Sequence, residues 1–339
     1  MKLKLDKKDL RPFWESLMAD YDLYGPVELT EGVSVFKKID RPEEISPNVL
    51  NTQKPAKDVF FPQSEVMFRY EEAGKRKEVT SFEELKRKRV LWGARPCDIQ
   101  GISVIDHVFL GKDYTDVYFQ RKREGTTIIG VACDHPRSTC FCSSAGGGPF
   151  LRDGSDLFFV DLGKAYLVEV LTEKGKAIQG NRFFQKAKKE DLAFAKEVEK
   201  KASKELKPTL SLEETEKKLD QLVESALWDR IHEKCLGCGA CTLLCPTCHC
   251  FDIADESLNR CGQRVRNWDT CLSEIYSQET SGHNPRPTVR ERTRQRLMHK
   301  FSYFPKNFGR IACVGCGRCI LYCPANFDIR QVIEKINAN

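Results

Sequence analysis

The sequence predicts an α+β chain, with an N-terminal α/β domain over residues 1–207 and an all-helical domain over residues 208–339. Three observations carry this. Arg89–Trp92 and Thr126–Ala132 read as short buried strands on either side of a helical stretch, a strand–helix–strand order that favours parallel pairing. A Lys- and Glu-rich stretch at 186–207 stops at Pro208. Beyond that point apolar residues recur at helical spacing around two cysteine-dense segments.

Taken in order, residues 8–20 place Leu10, Phe13, Trp14, Leu17 and Met18 on one face of a helix. Strand-like pieces follow at Val33–Phe36 and Glu65–Tyr70. The strand Arg89–Trp92 runs into Arg95-Pro96-Cys97-Asp98 and a helix to about Leu110, and the strand Thr126–Ala132 ends at Cys133. Cys97 and Cys133 are therefore expected just past the ends of two parallel strands, on the sheet edge where α/β folds place ligands. Leu157–Val160 and Tyr166–Leu171 form a hairpin across Asp161-Leu162-Gly163-Lys164. The stretch 186–207 reads as an exposed helix. After Pro208, Ser211-Leu212-Glu213-Glu214 fits a capping box that opens a helix with Leu219, Leu222, Val223, Ala226 and Leu227 as its stripe, leading to Cys235.

The 339 residues suffice for about two domains, and 40% hydrophobic with 31% charged residues is an ordinary globular balance. A net charge of +6 is too mild to indicate nucleic acid, though a basic patch can steer an acidic redox partner. The N-terminus lacks the apolar core of a signal peptide, and no run approaches the roughly 18 apolar residues of a membrane helix. A cytoplasmic protein is expected. The sixteen cysteines stand out. Four fall between residues 97 and 142 and twelve between 235 and 323. In a reducing compartment such thiols are metal ligands more often than disulfides.

Two copies of one motif stand in the C-terminal region: Cys235-x2-Cys238-x2-Cys241-x3-Cys245-Pro246 and Cys313-x2-Cys316-x2-Cys319-x3-Cys323-Pro324. Three cysteines on a tight loop can wrap three corners of a 4Fe–4S cubane, while the fourth points away and reaches the other cluster. Gly237, Gly239, Gly315 and Gly317 let the loop backbone come close to the sulfides. This assigns Cys235, Cys238, Cys241 and Cys323 to one cluster, and Cys313, Cys316, Cys319 and Cys245 to the other. Zinc sites usually pair two Cys-x2-Cys elements across a spacer, which is not this pattern. The 67 residues between Cys245 and Cys313 exceed the connection of compact bacterial ferredoxins. With helical patterns at Thr293–Phe304 and Phe327–Ile336, this points to an all-helical dicluster ferredoxin domain.

Cys97, Cys133, Cys140 and Cys142 form a separate quartet, with glycines at 146–148 close behind. A third iron–sulfur cluster, a zinc ion, and buried thiols with or without a redox disulfide all fit it. Cys248, Cys250 and Cys271, with Cys261, fit either a further metal centre or plain thiols packed beside the two clusters. His107, His135 and His249 lie near cysteines and read as structural. Arg290, Arg292, Arg294 and Arg296 alternate, which does not place them on one helix face; a solvated surface or a charge partner for anionic clusters are the two readings. No dinucleotide fingerprint, phosphate loop or nucleophile elbow is present.

Together these residues resemble the family that includes the beta subunit of cytosolic sulfhydrogenases and the corresponding dicluster electron-transfer chain of anaerobic sulfite reductase. The resemblance rests on Arg95-Pro96-Cys97-Asp98, Thr139-Cys140-Phe141-Cys142, Cys245-Pro246-Thr247-Cys248-His249-Cys250-Phe251-Asp252, Trp268-Asp269-Thr270-Cys271, Lys300-Phe301-Ser302-Tyr303-Phe304 and the second motif, in that order. It implies a soluble electron-transfer subunit of an anaerobic hetero-oligomer. Such a chain sits between two partners. One is a flavin-containing, NAD(P)H-binding subunit; the other is a catalytic redox subunit such as a nickel–iron hydrogenase or a sirohaem sulfite reductase. The competing expectation is an iron–sulfur enzyme with its own substrate site at the Cys97–Cys142 region. A third is a scaffold whose N-terminal domain binds a partner or a flavin nucleotide.

Overall fold

The structure is a computed structural model that describes every residue except 74, 75, 82–85, 207 and 209. The expected domain boundary at 207/208 thus touches a position outside the described residues. The chain divides into two compact units: Met1–Phe60, Leu85–Thr209 and Val314–Cys316 form one, and Phe61–Glu84, Leu210–Cys313 and Gly317–Asn339 the other.

The strands in chain order are β1 (Lys2–Asp6), β2 (Asp22–Thr30), β3 (Val33–Lys38), β4 (Ser64–Ala73), β5 (Arg76–Ser81), β6 (Arg89–Ala94), β7 (Thr126–Val131), β8 (Leu157–Asp161), β9 (Ala165–Val170), β10 (Gln185–Lys186), β11 (Phe251–Leu258) and β12 (Cys261–Trp268). The first unit holds an eight-stranded sheet in the order β10-β1-β9-β8-β7-β6-β2-β3. Its centre is parallel: Val90 pairs with Thr127 and Leu91 with Ile128, and β8 and β2 continue the parallel set on either side. The helix Pro96–Phe109 lies in the β6–β7 connection. Trp92 is 1% exposed and meets the Phe159 ring edge-on at 4.9 Å. The helix Leu10–Asp20 buries Leu10, Phe13, Trp14 and Leu17, and Trp14 lies 5.6 Å from Trp92. β8 and β9 form the expected hairpin. The helix Lys189–Glu205 buries only Ala195 and Ala202, so most of it faces solvent.

The second unit is not all-helical. Its four-stranded antiparallel sheet has the order β11-β12-β4-β5. This corrects the all-helical expectation for residues 208–339. The β11–β12 hairpin reads poorly as strand because its residues are largely polar and exposed on β11. It is held by side chains rather than by a periodic apolar face. The Arg266 guanidinium, 1% exposed, pairs with Glu65 at 2.6 Å and sits 5.1 Å from the Phe61 ring and 5.5 Å from that of Phe251. Trp268 Nε1 donates to the Phe61 carbonyl at 3.0 Å.

The helical stripe expected before Cys235 is interrupted. It forms Leu212–Leu219, a 3-10 turn at Asp220–Leu222, and Leu227–His232. Ser211 stands at the N-cap, but its side chain makes no capping bond. Ser302 Oγ donates to Asp220 at 2.7 Å and Trp228 Nε1 donates to the Leu222 carbonyl at 2.7 Å, which fixes the break. Farther along, a capping box of Thr288 and Glu291 starts the helix Val289–Met298. A π-turn at His299–Tyr303 and a helix at Phe304–Phe308 continue it. The helix Ile329–Asn337 buries Ile329, Val332, Ile333 and Ile336.

Candidate metal centres

The two cysteine motifs have the same backbone. Gly237 and Gly239 take φ of 67° and 75°, and Gly315 and Gly317 take 61° and 73°. This left-handed region costs glycine least. Gly239 and Gly317 each open a one-turn helix, Ala240–Leu243 and Arg318–Leu321. The Cys245 N–H donates to the Thr242 carbonyl at 3.2 Å, and the Cys323 N–H donates to the Ile320 carbonyl at 3.3 Å. Each motif thus closes on the same backbone turn before its fourth cysteine.

In the second unit one cavity is lined by Cys235, Cys238 and Cys241 of the first motif and by Cys323 of the second. Cys319 also reaches its wall. Burial pushes the Cys241 thiol up to about 11 and raises that of Cys319. A metal that displaces the thiol proton relieves this cost. Arg296 lines the same cavity. It is 4% exposed, and its Nε and Nη2 groups have no hydrogen-bond partner. A buried guanidinium with unused donors calls for an anion. The anions facing it are the sulfurs of Cys241, Cys319, Cys248 and Cys245, which hold its pKa above the usual value against the opposing effect of burial.

Cys245 lies beside Lys300. Lys300 Nζ stands 3.3 Å from Cys245 Sγ, 3.1 Å from Thr247 Oγ1 and 3.0 Å from the Ala312 carbonyl. Hydrogen bonding from Cys248, together with the Lys300 charge, draws the Cys245 thiol well below its ordinary range despite burial. Cys316 belongs to the first unit, where its carbonyl accepts from Asn51 Nδ2 at 3.1 Å.

Cys248, Cys250 and Cys271 line one small cavity that Arg296, His299 and Lys300 also border. Cys250 and Cys271 meet at the root of the β11–β12 hairpin, where the Asp269 N–H donates to the Cys250 carbonyl at 3.0 Å. Hydrogen bonds from Cys271 and Tyr276 bring the Cys250 thiol down to about 6. Cys261 is exposed at the far end of that hairpin, away from the other thiols. Cys97, Cys133, Cys140 and Cys142 line one cavity in the first unit, which Cys316 also borders. Burial pushes the thiols of Cys133 and Cys142 up to about 12 and about 11. None of the sixteen cysteines forms a disulfide. Among the described residues, no three His, Cys, Asp or Glu side chains are placed to chelate a single metal ion.

The arginine run splits between two roles. Arg290 and Arg294 pair with Asp229 and Glu224, whereas Arg292 and Arg296 are buried. Spacing of four along the helix separates the two pairs. Neither Lys300 nor Asn51 is singled out by composition or spacing; only the position of Lys300 in the segment Lys300–Phe304 marks it. His107 Nδ1 contacts the Ser103 carbonyl at 2.8 Å and His249 Nδ1 contacts the Thr247 carbonyl at 3.1 Å, both structural roles.

The 4Fe-4S dicluster domain family matches residues 234–327. The chain is 34% identical to Sulfhydrogenase 2 subunit beta of Pyrococcus furiosus over 337 residues, which cover 98% of each chain. No solved structure matches it. No helix among the described residues is long and apolar enough to cross a membrane.

Proposed function

Since this chain belongs to the sulfhydrogenase beta-subunit family, we propose that it is the electron-relay subunit of a multisubunit oxidoreductase, built on two 4Fe–4S clusters. Cys235, Cys238, Cys241 and Cys323 hold one cluster; Cys313, Cys316, Cys319 and Cys245 hold the other. The observation that supports this reading is the first cavity, where Cys323 and Cys319 of the second motif share a wall with Cys235, Cys238 and Cys241 of the first. Bound there, the clusters supply one-electron exchange at low potential, on the order of −400 mV for all-thiolate centres.

The residues present fit such a group. The donor set is thiolate throughout, and an all-cysteinyl cluster carries negative charge that Arg296 and Lys300 offset from inside the protein. Those two cations also favour the more negative, reduced state and so raise the potential. Glycine turns open the loop backbone to the sulfides, while Leu272 and Phe327 put apolar surface on the wall of the first cavity. The partners of this reading are a flavin-containing NAD(P)H-binding subunit, which supplies electrons, together with a catalytic redox subunit such as a nickel–iron hydrogenase.

The test is anaerobic isolation of the complex through a tag on this chain, followed by turnover from NAD(P)H to the terminal acceptor. Cys238→Ala should remove about four irons per chain. It should abolish overall turnover while each partner still reduces or oxidises artificial dyes. Full turnover with the iron lost would overturn the relay.

A further inference from the structure

Four thiols outside the ferredoxin-type motifs converge on one cavity, and neither the dicluster match at 234–327 nor the relay uses them. We propose that Cys97, Cys133, Cys140 and Cys142 hold a third 4Fe–4S cluster, within the α/β unit.

The fold builds this site from elements far apart in sequence. Cys97 lies in the first turn of the helix Pro96–Phe109, directly after β6. Cys133 follows β7, the parallel neighbour of β6. Two adjacent strand ends thus deliver two thiols to one edge of the sheet. Arg95 locks those ends together: its Nη1 donates to the Ala132 carbonyl, and its Nη2 donates to the Val49 carbonyl at 2.8 Å. Cys140 and Cys142 come from the loop that follows. The Cys133 N–H donates to the Pro149 carbonyl at 2.9 Å and the Gly147 N–H donates to the Cys142 carbonyl at 2.9 Å, which folds that loop back over the strand ends.

Three features separate this cavity from a set of core thiols. Only Cys142 is buried; the other three are half-buried and face the cavity rather than packing into the apolar core. All four sulfurs of the quartet line one and the same space, with Cys316 of the second motif on its wall as well. The charged residues on the wall are Arg95 and Arg137, with no carboxylate among them. The Arg95 Nε group is buried and has no hydrogen-bond partner. An anionic group with several acceptor atoms satisfies that wall. Four thiol donors with two guanidinium groups beside them suit the corners of an anionic cubane.

The test is an iron, zinc and acid-labile sulfide count on the full chain isolated without oxygen, comparing the natural protein with Cys97→Ala/Cys140→Ala. The expected result is a loss of about four irons and four sulfides per chain in the variant, with the signals of the two ferredoxin-type clusters retained. Cys133→Ala, which removes the single thiol that follows β7, should show the same loss. Equal iron in natural and variant chains, or zinc lost in place of iron, would overturn the assignment. Either result leaves the relay reading standing, because that reading is tested separately, by the iron content and turnover of Cys238→Ala.

Discussion

The Lys300 ammonium donates to the Cys245 sulfur at 3.3 Å from a fully enclosed position. Burial opposes a charge there, yet the sulfurs of Cys245, Cys248 and Cys313 outweigh it and hold the Lys300 pKa above its ordinary value. Lys300 lies in the π-turn at His299–Tyr303, where Phe301 and Ser302 are buried beside it.

Removing that charge should make the Cys245-ligated centre harder to reduce. Lys300→Met is expected to lower its midpoint potential by on the order of 65–130 mV, taking a charge-assisted bond at about 1.5–3 kcal/mol in a one-electron couple. Lys300→Arg should keep most of the potential. A redox titration followed by electron paramagnetic resonance reads both. An unchanged potential in Lys300→Met, with iron content intact, would contradict the role given to this pair.

Gly315 makes a close approach inside the first unit. Its carbonyl accepts from the Phe141 N–H at 2.8 Å, and a Cβ on Gly315 would stand 2.5 Å from the Phe141 carbonyl and from the Cys142 nitrogen. Its φ of 61° adds backbone strain for any other residue. Gly315→Ala should therefore cost about 2 kcal/mol or more in denaturant unfolding. Gly180→Ala, where a Cβ meets open space, should stay within about 0.5 kcal/mol.

His299 gives the stability a pH dependence. Burial, then the neighbouring His249, Lys300 and Arg286 charges, brings its imidazole down to about 4. The unfolded chain takes up this proton near pH 6.5. Between those values the unfolded state binds more protons, so the contribution is complete above about pH 6.5 and is lost as pH falls toward about 4. His299→Gln should flatten the fall in unfolding midpoint between about pH 7 and 5. Parallel profiles for the two proteins would remove His299 as the source.

Much of the first unit is legible in the sequence because its strands are short apolar runs: Val90-Leu91-Trp92 and Thr126–Val131 have no other use than a buried parallel sheet. The cysteine spacing likewise carries the ferredoxin-type loops, down to the glycines at positive φ. The β11–β12 hairpin is illegible for two reasons. Residues such as Asp252, Asp255, Glu256 and Arg264 hide the alternation, and β12's second partner, β4, lies almost two hundred residues earlier in the chain. Lys300 and Arg296 are illegible as charge partners because a basic residue inside a protein is exceptional without knowledge of the sulfurs around it. The helix break at Asp220 depends on Ser302 and Lys306, which no local pattern announces.

The exchange of fourth ligands between the two motifs is the claim on which the relay rests, and paired substitutions test it through iron content. Cys241→Ala/Cys323→Ala strikes one centre twice and should lose about four irons per chain, whereas Cys241→Ala/Cys245→Ala strikes both and should lose about eight. The reverse order, with the Cys245 pair losing about four and the Cys323 pair about eight, would show that each motif closes its own cluster and would contradict the account.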